Sequence, residues 1–154
     1  MAKYKIVVIN GPNINMLGIR EPEIYGRESF DELIARTRET AERLDCDVTF
    51  VQSNHEGDLV DAIQNAYFQR MDGIIINPGA YTHTSIAILD AAEAVKIPLV
   101  EVHISDVKKR EDFRQVSYIR KAAAATVMGR GIQGYSDAME ILVRKLDEEA
   151  PKRP

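Results

Sequence analysis

At 154 residues, 45% hydrophobic and 29% charged, the chain has the make-up of one globular domain, large enough to bury roughly two thirds of the surface its unfolded form would expose. A net charge of −4 and a pI near 5.4 argue against a general nucleic-acid or anionic-membrane surface, and no apolar run approaches the ~20 residues that span a bilayer. Cys46 is alone, which excludes an intrachain disulfide and points to a reducing, cytoplasmic setting, and the step from Met-Ala-Lys straight into a strand pattern leaves no expected signal peptide.

In chain order, Tyr4–Asn10 reads as a first strand. Ser29–Leu44 follows as a helix, with Ser29 and Glu32 in capping-box spacing and Phe30, Leu33, Ile34, Thr37, Ala41 and Leu44 near helical period. Val48–Gln52 predicts a second strand and Asp58–Gln69 a helix with Leu59, Ile63 and Ala66 on one face. Gly73–Asn77 is a third strand, Ser85–Val95 a helix, Leu99–His103 a fourth strand, Ala122–Met128 a fifth despite its alanines, and Gly134–Glu148 a closing amphipathic helix. Alternating strands and helices imply right-handed crossovers and a parallel sheet covered on both faces. The expectation is an α/β, flavodoxin-like doubly wound domain with a five-stranded parallel sheet over residues 1–148, followed by a flexible polar tail over 149–154. There is no internal repeat, linker or low-complexity stretch.

In such sheets a ligand binds outside the carboxyl ends of the strands. Here those ends read Asn10-Gly-Pro-Asn13, Gln52-Ser-Asn-His-Glu-Gly57, Asn77 to Ser85, and Glu101-Val-His-Ile-Ser-Asp106, so His55, His83 and His103 all fall at one edge. The break from four apolar residues into Asn77, Pro78, Gly79, Tyr81, Thr82, His83, Thr84 and Ser85 supplies more hydrogen-bonding groups than a turn requires, as a polar small-molecule site would.

The Gly11–Glu28 connection is much longer than the two to six residues usual for a strand-to-helix loop, and reads as a lid or as a plain surface loop. It carries Asn13, Arg20, Glu21 and Tyr25, with Gly11, Gly18 and Gly26 as candidate hinges. Arg20 is close enough in sequence for its guanidinium to approach the Tyr25 phenol. A free phenol ionises near ~10, so using its phenolate at neutral pH costs about 4 kcal/mol unless a cation assists. The basic run Lys108-Lys-Arg-Glu-Asp-Phe-Arg114 is either a solvated charge run or a carboxylate clamp, since guanidinium groups bind carboxylates bidentately.

Other patterns carry less. Gly129-Arg-Gly-Ile-Gln-Gly134 spells the dinucleotide fingerprint but follows the last strand and has no complete βαβ unit around it, so a glycine turn opening the last helix suffices. The histidines lie on different strand ends without metal-ligand spacing, and no metal is expected. His55 reads as a cap of the second helix with Glu56, and Cys46 as structural. Walker and GxSxG motifs are missing.

Four collinear stretches carry a specific resemblance: Asn10-Gly-Pro-Asn-Ile-Asn-Met-Leu-Gly-Ile-Arg-Glu-Pro-Glu-Ile-Tyr-Gly26, Gln52 to Gly57, Ile76-Asn-Pro-Gly-Ala-Tyr-Thr-His-Thr-Ser85, and Glu101-Val-His-Ile-Ser105. Over the chain from about Lys5 to the last helix, they resemble the type II 3-dehydroquinate dehydratases. The resemblance implies anti elimination of water from 3-dehydroquinate through an enolate, giving 3-dehydroshikimate without cofactor, metal or Schiff base, in shikimate-pathway aromatic amino acid biosynthesis or in quinate breakdown. It implies Tyr25 as the base at C2 with Arg20 holding it as phenolate, Asn13 positioning a water at the enolate, and His103, oriented by Glu101, as the acid for the C1 hydroxyl. Asn77, His83, Ile104, Ser105 and Arg114 would bind the substrate's carboxylate and hydroxyls, Glu21 and Arg110 would belong to the lid, and Asp90 would reach a neighbouring subunit's site in a dodecamer built from trimers. Asp106 and Lys108 stand where the family often has Asn and His, and Gln115-Val116 replaces a commonly more polar pair; these departures touch the lid segment and no implied catalytic position. A flavin or nucleotide module would need a phosphate loop after the first strand, and a receiver domain an aspartate where Asn77 stands.

Overall fold

The computed structural model describes residues 1–25 and 27–150, with the Tyr25 side chain outside that description. Five strands, β1 (Tyr4–Asn10), β2 (Cys46–Gln52), β3 (Gly73–Asn77), β4 (Leu99–His103) and β5 (Ala125–Met128), form one parallel sheet in the order β2-β1-β3-β4-β5. The α/β, flavodoxin-like expectation therefore holds, since this is that fold's strand order. The helices are the short α1 (Pro22–Tyr25), then α2 (Phe30–Arg43), α3 (Glu56–Phe68), α4 (Ile86–Val95) and α5 (Gln133–Glu149).

Alternate side chains of the central strands β1, β3 and β4 divide between two cores, as the two-residue period of a strand requires. Ile6, Val8, Ile75, Val100 and Val102 pack under α2 and α5 against Leu33, Tyr135, Met139 and Leu142. Val7, Ile9, Ile74, Ile76 and Leu99 pack on the other face against Leu59 and Ile63 of α3 and Ile88 and Ala91 of α4. Helix starts follow local hydrogen bonding. Ser29 Oγ accepts from the Glu32 amide at the head of α2, and Ser85 Oγ accepts from the Ile88 amide at the head of α4. α3 begins two residues earlier than its apolar period suggests. The His55 side chain makes no cap bond there; Ser53 Oγ instead accepts from the His55 amide and donates to Asp58 Oδ2, closing the turn.

β2 begins at Cys46 rather than Val48, because Asp45 takes the left-handed conformation (φ 58°) and Cys46 turns straight into register with Tyr4. β5 is shorter than the sequence suggests. Ile119–Ala122 forms a 3-10 turn that buries Ile119, and the chain rejoins the sheet when the Ala124 amide donates to the Leu99 carbonyl. The 129–134 glycine pattern is the turn into α5, with Gly129 and Gly131 at φ 76° and 59°. Their amides donate to the Ser105 and Ile104 carbonyls, so this turn braces the end of β4 from behind. Residues 151–154 of the expected tail lie outside the described residues.

Candidate active site

The order of strands reverses between β1 and β3, and at such a switch point the two outgoing loops diverge and leave a crevice. Here the loops first touch and then part. The Gly11 amide donates to the Asn77 carbonyl at 2.8 Å, and a Cβ on Gly11 would sit 2.3 Å from the Pro78 carbonyl oxygen. Only glycine permits that approach. Above this floor lies a cleft of about 560 Å³, open to solvent, lined from the β1 loop by Pro12, Asn13, Ile14 and Arg20. Asn77, Gly79, Ala80 and His83 line it from the end of β3, and His103, Ile104, Ser105, Val107, Arg110 and Arg114 from β4 and beyond.

Three guanidinium groups and no carboxylate line this cleft among the described residues. It is built for an anion with several hydroxyls or carbonyls beside it. The run after β4 divides accordingly: Lys108 and Lys109 are exposed to solvent, whereas Arg110 and Arg114 turn to the cleft. Arg110 Nη1 reaches Ser105 Oγ at 3.5 Å, and Arg114 Nε donates to Glu111 Oε2 at 2.7 Å. The segment is pinned by Gln115, whose Nε2 lies 3.0, 3.1 and 3.3 Å from the carbonyls of Val107, Arg110 and Glu111. Asp106 caps its first turn by accepting from the Lys108 amide.

His103 closes the inner wall. Its Nε2 sits 2.5 Å from Glu101 Oε2, and Glu101 is fully buried two residues earlier on β4. Burial alone would push that carboxyl up, but hydrogen bonds from His103, Arg120 and Ser117, with the charge of His103, hold it well below the ordinary carboxylate range. Glu101 is thus an anion, which only accepts, so Nε2 of His103 carries hydrogen and Nδ1 is the nitrogen left for proton exchange. His83 faces the cleft with Nδ1 against the Val116 carbonyl at 2.7 Å. Its ring is held below the usual histidine value by burial first, then by the charges of Arg114, His103 and Arg110, against the raising effect of the Val116 bond.

Asn77 is tied at both ends of its amide. Oδ1 accepts from the Gly79 amide, and Nδ2 donates to the Tyr135 hydroxyl, which donates in turn to Asn10 Oδ1. Burial pushes the Tyr135 phenol up, so it stays a neutral donor beneath the floor. Asn13 takes the left-handed conformation (φ 70°), and its amide donates to Asn54 Oδ1.

The sequence-predicted residues Asn13, Arg20, Asn77, His83, His103, Ile104, Ser105, Arg110 and Arg114 are therefore brought together, with Glu101 buried directly behind His103. Glu21, exposed at φ 33°, and Asp90, exposed on α4, do not line the cleft. The Tyr25 side chain and Gly26 lie outside the described residues. His55 is exposed and stands apart, so two of the three histidines share the site. Sequence reasoning missed Arg120, Ser117, Thr126 and Tyr135, which hold the wall and floor; a glutamate inside the apolar run Leu-Val-Glu-Val-His is the signal that such partners must exist.

Residues 4–143 match the family model described as Dehydroquinase class II. A 3-dehydroquinate dehydratase of Clostridium perfringens is 52% identical over 142 residues, covering 92% of this chain and 99% of that protein. The type II dehydroquinase of Butyrivibrio crossotus superposes with a TM-score of 0.89 at 48% identity, covering 90% of this chain and 97% of that one. That of Propionibacterium acnes gives 0.87 at 38%, covering 93% and 98%. Among the described residues no helix is long and apolar enough to cross a membrane.

Proposed function

The chain belongs to the class II dehydroquinase family, and we propose that its cleft carries out that chemistry as a hydro-lyase, converting 3-dehydroquinate to 3-dehydroshikimate and water. The observation that carries this reading is the joining, in one cleft, of three guanidinium groups for a carboxylate with a carboxylate-backed histidine for a hydroxide leaving group.

A proton beside a ketone is weakly acidic, and hydroxide leaves poorly, so the reaction needs a base, an oxyanion stabiliser and an acid. Tyr25, as phenolate beside Arg20, takes the C2 proton and becomes the phenol. The electron pair moves onto the ketone oxygen as an enolate, which a water held by Asn13 stabilises. The enolate then reforms the ketone, the new double bond forms, and the C1–O bond breaks as the His103 imidazolium gives its proton to the departing oxygen. The phenol proton is returned through solvent and the imidazole is reprotonated, which balances the cycle. Arg114, His83, Asn77 and the Ile104–Ser105 segment receive the carboxylate and hydroxyls, and their common position in the cleft supports those roles. Arg110 and Glu21 belong to the closing segment. No cofactor, metal ion or imine enters any step.

Asp90 is exposed on α4, a position from which it would serve a neighbouring copy's cleft in a dodecamer of trimers. We place the protein in the cytoplasm, at the dehydration step of aromatic amino acid biosynthesis; quinate breakdown uses the same reaction. The test is direct. Purified protein dialysed against a chelator should generate the ultraviolet absorbance of the conjugated product from 3-dehydroquinate, and borohydride with substrate should not inactivate it. Absence of the product band would overturn the reading.

A further inference from the structure

The carboxylate behind His103 is gripped by a cation from outside the cleft lining. Arg120, on the 3-10 turn Ile119–Ala122, sends Nε to Glu101 Oε1 at 2.9 Å and Nη2 to Oε2 at 3.1 Å. Its side chain is 39% exposed while the carboxylate it grips is fully buried, and it does not line the cleft. The remaining sites on that carboxylate are taken by Thr126 Oγ1, donating to Oε1 at 2.9 Å, and Ser117 Oγ, donating to Oε2 at 2.6 Å, with Thr82 Oγ1 at 3.4 Å. A two-point guanidinium pair fixes the plane of a carboxylate, which one hydrogen bond does not.

Two consequences follow for His103. The fixed carboxylate fixes the ring that bonds to it, and so the direction of the Nδ1 left to face substrate. The second is electrostatic. A buried carboxylate paired with a histidine alone would hold the imidazolium so firmly that it made a weak acid. A cation already on the same oxygen weakens that hold. The other charged or titratable groups around the ring are His83 from the turn after β3, Arg20 from the β1 loop, and Arg110 and Arg114 beyond β4, with Glu111 paired to Arg114 at the edge. Among the described residues Glu101 is therefore the anion that governs His103, and Arg120 is the group that divides its charge.

We propose that Arg120 is a positioning residue for the acid half of the site: its two-point pair with Glu101 fixes the carboxylate that orients His103 and limits how tightly that carboxylate retains the imidazolium proton. This rests on His103 being the leaving-group acid of the proposed dehydration.

The test titrates the His103 ring by NMR in the unliganded protein and measures the kcat–pH profile with 3-dehydroquinate, for the wild type, Arg120→Met, Arg120→Lys and Ser117→Ala. Removing the charge should raise the His103 midpoint by roughly one pH unit and move the alkaline limb of kcat the same way. It should lower kcat about tenfold at neutral pH while KM stays within about twofold. Arg120→Lys, which keeps the charge and loses the second contact, should restore most of the midpoint and only part of kcat. Ser117→Ala, which removes a hydrogen bond without charge, should leave the midpoint nearly in place. Should Arg120→Met not fold, Arg120→Gln carries the same measurement. A midpoint unmoved in the neutral variant, with the wild type active, overturns the inference; so does an equal kcat loss in all variants with no pH shift. A wild type that makes no product overturns the proposed function instead, and the ring titration still decides whether Arg120 divides the charge on Glu101.

Discussion

The β4 wall and the β1 loop meet across one cleft, yet they are built in opposite ways. On β4, Glu101 and His103 are buried, both oxygens of the carboxylate are hydrogen-bonded, and the strand end is braced by the Gly129–Gly131 turn. Across from it, the Gly11–Glu28 connection is anchored by the buried Ile14 and Leu17, while Ile19 is 72% exposed and Asn13, Gly18 and Glu21 all take positive φ. Dipoles fixed before the reaction cost no reorganisation during it. A connection in which more than half of the described residues are exposed is better suited to closing over a substrate than to holding a group rigid beforehand. The proposed mechanism draws its acid from the prebuilt wall and its base from the more exposed loop, and the contrast is in keeping with that division.

The largest effects should come from the loop. Tyr25→Phe or Arg20→Ala should lower kcat roughly a thousandfold or more, within the range for loss of a general base, with an unchanged circular dichroism spectrum. Near-normal kcat in Tyr25→Phe would remove the base from the loop and erase the contrast. The wall should answer in stability as well as in rate. The folded-state value of Glu101 is depressed, so its contribution is present above the ordinary carboxylate range and is lost as pH falls toward the folded value. Wild type should lose melting temperature between roughly pH 5 and 3, and Glu101→Gln should start less stable at neutral pH by about 2 kcal/mol and lose less over that interval. Parallel pH profiles for the two proteins would show that the wall carries no such linkage. The smallest effect tests the loop's exit. Ser29→Ala removes the side-chain cap of α2 and should cost about 1 kcal/mol in urea unfolding. It should leave kcat unchanged, and a large kcat loss would mean the loop's anchorage, not only its residues, sets the rate.

The two regions also differ in how far their sequence could be read. β1, β3 and β4 have the expected bounds because apolar runs buried on both faces end abruptly at Asn10, Asn77 and His103. β5 does not, since a run of alanines carries little side-chain signal and Ile119 draws the preceding residues into a turn. The cleft's lining was legible from motifs at strand ends. The network behind it was not: Thr82, Ser117, Arg120 and Thr126 come from separate segments with no shared period, and they meet only because Glu101 needs every one of its lone pairs satisfied. Nothing in the helical pattern of α5 singles out Tyr135, whose hydroxyl bridges Asn10 and Asn77 under the floor.

The most direct measurement follows C2 hydrogen exchange with deuterated solvent and loss of water in the same sample, for Tyr25→Phe and His103→Ala. If base and acid sit on opposite sides of the cleft, Tyr25→Phe should lose both reactions together, and His103→Ala should keep exchange while losing dehydration by roughly a hundredfold or more. Equal loss of exchange and dehydration in His103→Ala would contradict the division of labour between wall and loop.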